Sequence, residues 1–216
     1  TTPFTGVFDG QGHVIRNGII DQVDNPYVGL FGWVEETGVI CRLGLEDVSV
    51  SGSLDLRDYT YVGGLAGRNR GTITDCHATG PISGTRLIGG LVGLNDGTIT
   101  GCHAAGPISG ARYVGGLVGT NVEGEIADCY ATGAVNGSLN VGGLVGSCSG
   151  TINNCYTSGD VVGEDFVGGL FGESFAVATR CYATGAVRGN WAVGGLMGSS
   201  SGIVSDCYAR GPVEGT

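Results

Sequence analysis

The sequence predicts an all-β protein, a parallel β-solenoid (β-helix), and three observations predict it. A short block recurs along the chain, carrying a leucine at 30, 65, 91, 117, 144, 170 and 196, in steps of 35, 26, 26, 27, 26 and 26 residues. A cysteine follows each leucine by eleven or twelve residues, at 41, 76, 102, 129, 155, 181 and 207, so two independent markers keep one register. The apolar positions alternate with period two, as in Val114-Gly-Gly-Leu117, and nowhere follow the helical i, i+3, i+4, i+7 spacing. Glycine, 45 of 216 residues, would melt a helix but suits turns between short strands.

At ~3.3 Å per strand residue, 26 residues trace roughly 85 Å of path. That length suits one lap of a three-sided coil with three short strands. A lone coil cannot bury its own face, whereas stacked coils ~4.8 Å apart share a continuous core. The spacing predicts seven or eight coils, right-handed by the usual sense of parallel crossovers. We read residues 1–216 as a single repeat domain. Residues 1–27 form a lead-in coil, 28–61 an irregular coil with a longer loop, and 62–216 six regular coils.

Composition narrows the partners. Twenty acidic side chains face ten arginines and no lysine, a net charge of −10. Nucleic acid is thereby disfavoured as a partner, since it needs a basic footprint. No apolar run reaches the ~18 residues of a membrane-spanning helix, and none is expected to insert. No basic-then-apolar signal peptide opens the chain at Thr1, which reads as a processed segment.

The motif GGL[VFMA]G appears at Gly63-Gly64-Leu65, Gly89-Gly90-Leu91, Gly115-Gly116-Leu117, Gly142-Gly143-Leu144, Gly168-Gly169-Leu170 and Gly194-Gly195-Leu196. The fuller unit, VGGLVGxNxGxIxxCYATGxVxG, resembles the GLUG-motif repeats of bacterial and archaeal secreted or surface proteins. The opening FDGQGHVI (Phe8 to Ile15) and CRLGLEDVSVSG (Cys41 to Gly52) are similar to the lead-in of such arrays. The resemblance covers essentially the whole chain. It implies a solenoid fold, an extracellular or cell-surface location, and a place in adhesin-like stalks or beside the catalytic part of secreted metallopeptidases. The HExxH of the latter does not occur in this sequence.

In a solenoid each repeated position is a column. The leucines, with Val28, Val62, Ile88, Val114, Val141, Val167 and Val193, form the core column. The cysteines Cys41, Cys76, Cys102, Cys129, Cys155, Cys181 and Cys207 form a structural ladder. Buried free thiols are the favoured reading, because in-register side chains keep their Cβ atoms further apart than the ~3.8 Å a disulfide prefers. Coil-to-coil disulfides remain an alternative. Metal binding is the weakest, since a linear row offers no tetrahedral set. Cys148 falls in the turn column of Asn69, Asn95 and Asn121. There it is either an exposed thiol available for cross-linking or a tolerated substitute for Asn. The next column, His77, His103, Tyr130, Tyr156, Tyr182 and Tyr208, points away from the cysteines and forms an exposed ribbon. The ribbon either stacks sugar rings or, more simply, stacks on itself to shield the sheet. Zinc between His77 and His103 lacks further ligands.

The remaining features are fewer. The surplus length of the first repeat falls near Ser53 to Tyr61, whose polar cluster is Asp55, Arg57, Asp58 and Tyr59. Asn136-Gly137-Ser138 is a glycosylation sequon, meaningful only in a glycosylating cell. Thr72/Thr74 and Thr98/Thr100 hint at a threonine array that later coils do not keep. Glycosidase chemistry needs two carboxylates in a cleft. Asp75, Asp128 and Asp206 share a column, but Gly101 and Asn154 interrupt it. No catalytic residue, cofactor or metal is expected. The sequence therefore predicts a non-enzymatic extracellular structural protein, either a surface-adhesin module or a filament subunit stacking head to tail on itself through uncapped ends. The alternatives are a module binding host or cell-surface glycans through the His/Tyr ribbon, and the accessory β-helix of a secreted degradative enzyme.

Overall fold

The computed structural model describes residues 2–52 and 59–216. Within them the chain forms 38 strands of two to four residues and no helix. The strands lie parallel in five sheets of seven or eight strands, and the chain visits each sheet once per turn, giving a β-solenoid of about eight turns. One turn runs Arg86–Gly89, Val92–Asn95, Thr98–Thr100, His103–Ala105 and Ile108–Ser109 before the chain returns at Arg112–Gly115. Register is kept residue for residue between turns, as in Ile73↔Ile99 and His77↔His103.

Each coil therefore has five strands where the sequence predicts three. The extra breaks come from single residues in the left-handed region. Asp75, Asp128, Asn154, Arg180 and Asp206 have φ of 53–56° and separate two strands that alternation alone reads as one. A second such column, Leu87, Tyr113, Asn140, Phe166 and Ala192, has φ of 44–55°. It kinks its strand so that pairing passes from Arg86↔Arg112 to Ile88↔Val114. Left-handed non-glycine residues cost roughly 1–2 kcal/mol each in isolation. Here the ladders on either side hold them in place; Gly101, at φ 65°, marks the first column, and no glycine marks the second.

The core is a set of stacked aliphatic columns. Leu65, Leu91, Leu117, Leu144 and Leu170 are fully buried, as are Val62, Ile88, Val114, Val141 and Val167 beside them. A third column, Ile40, Ile73, Ile99, Ile126 and Ile152, is buried in the same core. The leucine column is not uniform, because Leu30 is 38% exposed. Leu196 is only partly buried against the core. A core residue of a solenoid needs a coil on each side, and these two sit in the outer turns.

The corner at Gly116 shows why glycine recurs. An added Cβ there would fall in sub-van-der-Waals contact with the carbonyl oxygen of Gly143 and with the Ala131 methyl group. The equivalent atom at Gly90 would meet Gly116, so each corner packs backbone on backbone.

Candidate functional site

The ring column comes from strands beginning at His77, His103, Tyr130, Tyr156, Tyr182 and Tyr208. Alternation sends the next residue inward, and Ala78, Ala104, Ala131 and Ala183 are buried. The rings stand outside and stack on one another, with centroids 4.8, 4.6, 4.9, 5.1 and 5.2 Å apart and planes within 8° of parallel. Offset or edge-to-face pairs are the intrinsic preference of aromatics, so the register imposes this geometry. The ring faces are consumed within the ladder, and what reaches solvent is mainly the ring edges with their hydroxyl and imidazole groups. Sugar stacking needs a face. The outer face of Tyr208 ends the row, and the Arg210 guanidinium lies 5.1 Å from that ring.

At the other end, His77 leans over Gly44, whose missing side chain makes room for its ring. Its Nε2 lies 3.7 Å from Glu46 Oε1, and Glu46 is itself bridged by Arg16 at 2.8 Å. Burial, then the neighbouring His77, pulls the His103 imidazole below its ordinary pKa. Burial and Tyr130 push the Tyr156 phenol up. The two imidazole planes lie within 7° of parallel, so their in-plane lone pairs do not converge on one metal. Among the described residues no group of three His, Cys, Asp or Glu is placed to hold a metal ion.

The cysteine ladder lies on the inner side of the same wall. Cys76, Cys102, Cys129, Cys155 and Cys181 are buried, Cys41 and Cys207 half-buried, and all are free thiols. The Cys76 N–H donates to Cys102 Sγ (3.4 Å), Cys102 to Cys129 Sγ (3.3 Å) and Cys181 to Cys207 Sγ (3.3 Å). From Cys76 to Cys207 each ladder thiol in turn donates to the carbonyl two residues back, for example Cys102 to Thr100 (3.2 Å) and Cys129 to Ala127 (3.0 Å). A small apolar side chain that both accepts and donates thus satisfies backbone groups at the left-handed turn. The neighbouring thiols and burial raise Cys76, Cys129 and Cys181.

Cys148 requires a correction. It is 1% exposed, on the strand Val145–Cys148, and not an accessible turn thiol. Its column turns inward as an asparagine ladder. Asn69 donates to Asn95 Oδ1 (2.8 Å), Asn95 to Asn121 Oδ1 (2.7 Å), and Asn121 to Cys148 Sγ (3.6 Å). The same amides hold the turn carbonyls of Gly71, Gly97 and Gly124. Burial pushes the Cys148 thiol up to about 11, which removes the thiolate that cross-linking needs.

Asn136 is exposed on Val135–Asn136, in register with Ser109 and Val162. Asp55, Arg57 and Asp58 lie outside the described residues. Asp75, Asp128 and Asp206 are exposed at their left-handed turns, and Asn154 Nδ2 donates to Asp128 Oδ1 at 2.5 Å. A second aromatic group escaped the sequence reading. Tyr27 stacks on Tyr61 (5.1 Å), Tyr61 faces Tyr59 (6.3 Å), and Tyr27 packs beside Trp33 (5.5 Å). The signal was present, since Tyr27 and Tyr61 both immediately precede the valine of the repeat.

Comparison with known proteins agrees with this architecture. A family described as the GLUG motif matches residues 58–83, 84–109 and 110–136. Halomucin of Haloquadratum walsbyi (strain DSM 16790 / HBSQ001) is 38% identical over 85 residues, which are 39% of this chain but 1% of halomucin. The crystal structure of a putative immunoglobulin A1 protease from Bacteroides ovatus superposes with a TM-score of 0.61. It covers 97% of this chain and 68% of that one, at 21% identity, a likeness of fold.

Proposed function

The chain carries GLUG-motif repeats, and from that premise we propose that it is a non-enzymatic structural segment of a protein displayed outside the cell. The observation that carries the reading is where the reactive side chains are used. Rings stack on rings, asparagines bond asparagines, and thiols bond the backbone of the adjacent coil. Ion pairs follow the same rule, as with Arg68–Asp96 and Arg188–Glu214, each one coil apart. The polar chemistry of the described residues serves cohesion between coils, and the product is a stiff stack of coils. The names of the two similar proteins, halomucin and a putative immunoglobulin A1 protease, support an extracellular setting.

The outer strands favour extension. Val7 and Ile19 in the first turn and Ile203 and Val213 in the last are exposed, on strands whose second edge has no partner among the described residues. Such edges pair with further coils, in the same protein or in a second copy stacked head to tail. The test is negative-stain microscopy with sedimentation across a concentration series. Unbranched filaments of uniform narrow width, lengthening with concentration, support self-stacking. Monodisperse short rods at every concentration rule out the filament and leave a module extended only within its own chain. Hydrolysis of any offered glycan or peptide, abolished by substitution of one acidic residue, would overturn the non-enzymatic reading.

A further inference from the structure

One outward column of the solenoid is complementary to its own reversal. The strands Arg86–Gly89, Arg112–Gly115, Leu139–Gly142, Asp165–Gly168 and Trp191–Gly194 stack in register. Their leading residues read Arg86, Arg112, Leu139, Asp165 and Trp191 along the axis. Reversed about Leu139, the column sets Asp165 against Arg112. The residues just before these strands are tied coil to coil by backbone hydrogen bonds, in the order Thr85, Ala111, Ser138, Glu164 and Asn190. The same reversal brings Glu164 opposite Ala111, beside Arg112. No ion pair among the described residues uses Arg112, Asp165 or Glu164.

The apolar groups obey the same symmetry. Trp191 is 59% exposed and meets the Phe166 ring edge to face at 4.6 Å. Reversal carries it to the coil of Arg86, where Thr85, Arg86, Ala111 and Arg112 line a cavity of about 150 Å³. A cavity of that order accepts a benzene ring, and so the six-membered ring of an indole. The Arg86 guanidinium carbon rests 4.3 Å over the Tyr59 ring, which makes its side chain a fixed wall of the cavity. Half-buried Tyr113 falls opposite half-buried Phe166. Tryptophan and arginine set in a pocket are the side chains that dominate protein interfaces.

The geometry points to a lateral, antiparallel dimer. A second copy of this chain, related by a two-fold axis crossing the face at Leu139, sets its Trp191 into the cavity beside Arg86. Its Asp165 and Glu164 meet Arg112, and the two Leu139 side chains meet each other. The contact is isologous, so each interaction occurs twice. It goes beyond the structural reading and is independent of stacking through the ends, which is heterologous and adds coils along the axis. Each copy carries a net charge of −10. At about 0.15 M salt the screening length of ~8 Å blunts that repulsion and spares the close pairs.

Sedimentation equilibrium of the intact chain across a concentration series at that salt tests the dimer. Fluorescence of Trp33→Phe, whose remaining tryptophan is Trp191, runs alongside. The expected result is a mass that doubles and stops at two copies, with Trp191 emission moving to shorter wavelength over the same concentrations. Arg112→Glu and Asp165→Arg should each weaken pairing by about tenfold or more, because each sets like charges together twice. The two changes combined should pair more tightly than either alone. Arg180→Glu, the same change of charge away from this face, should match wild type. Far-UV circular dichroism confirms that each variant folds. A monomer at every concentration overturns the inference, as does wild-type pairing in Arg112→Glu. So does a combined variant no tighter than the single ones. Growth past two copies that Arg112→Glu leaves unchanged belongs to stacking through the ends and also overturns the lateral dimer.

Discussion

At the scale of single residues, the informative positions are those where one side chain answers a need of the next coil. Cys129 accepts the Cys102 N–H and donates to Ala127 O. Its repetition reflects that double duty more than any thiol chemistry. His103 is the residue whose charge state this environment controls. Half-buried between His77 and Tyr130, it has a folded pKa below the ordinary value of 6.5. The unfolded chain therefore takes up this proton at higher pH than the folded one does. The stability linked to His103 is fully present above the unfolded pKa. It is lost as pH falls below 6.5 toward the folded value. Urea denaturation between pH 7.5 and 4.5 should show this decline, and His103→Phe, which keeps a ring in the stack, should flatten that part of the profile. An identical profile in the variant would remove His103 as its source.

At the scale of elements, strands of two to four residues hold together only because each is one rung of a ladder. Alternation in the sequence showed which side chains face inward, and the core columns follow it from Val62 to Val167. The five-way division of the coil was hidden. The residues that create it include Arg180 at φ 54° and Tyr113 at φ 54°, of types that usually sit in ordinary backbone regions. The corner glycines are the element-scale test. Gly116→Ala drives a methyl group into the Gly143 backbone, which belongs to the next coil and has no free rotamer to move. Overpacking of this kind typically costs about 1–3 kcal/mol. The substitution should lower the chemical-denaturation midpoint accordingly, and a wild-type midpoint would mean that the corner yields.

At the scale of the whole molecule, each coil touches chiefly its neighbours, so stability should be close to a sum over coils. Deleting residues 84–109 joins Ser83 to Gly110, and Ser83 already occupies the register position of Ser109. The cut closes every ladder again. Asn69 comes to face Asn121, Cys76 to face Cys129, and His77 to face Tyr130. The shortened chain should fold with the same β-rich circular dichroism and unfold at a modestly lower denaturant concentration. Collapse into aggregate would show that the coils are not interchangeable.

The sequence by itself determined the solenoid, its period and its inward-facing columns, because one short pattern repeats and its alternation has a single consistent solution. Tertiary structure alone decided how each column is used. It turned Cys148 inward, since an asparagine ladder needs an acceptor at its end. The ring ribbon became a self-stacked column, since in-register strands leave neighbouring rings about 5 Å apart and face to face. Arg86 and Arg112, 26 positions apart in the chain, were set side by side over one cavity. The physical reason is the same in each case: the neighbour that matters lies one coil away, and only the closed coil fixes which way a side chain turns to meet it.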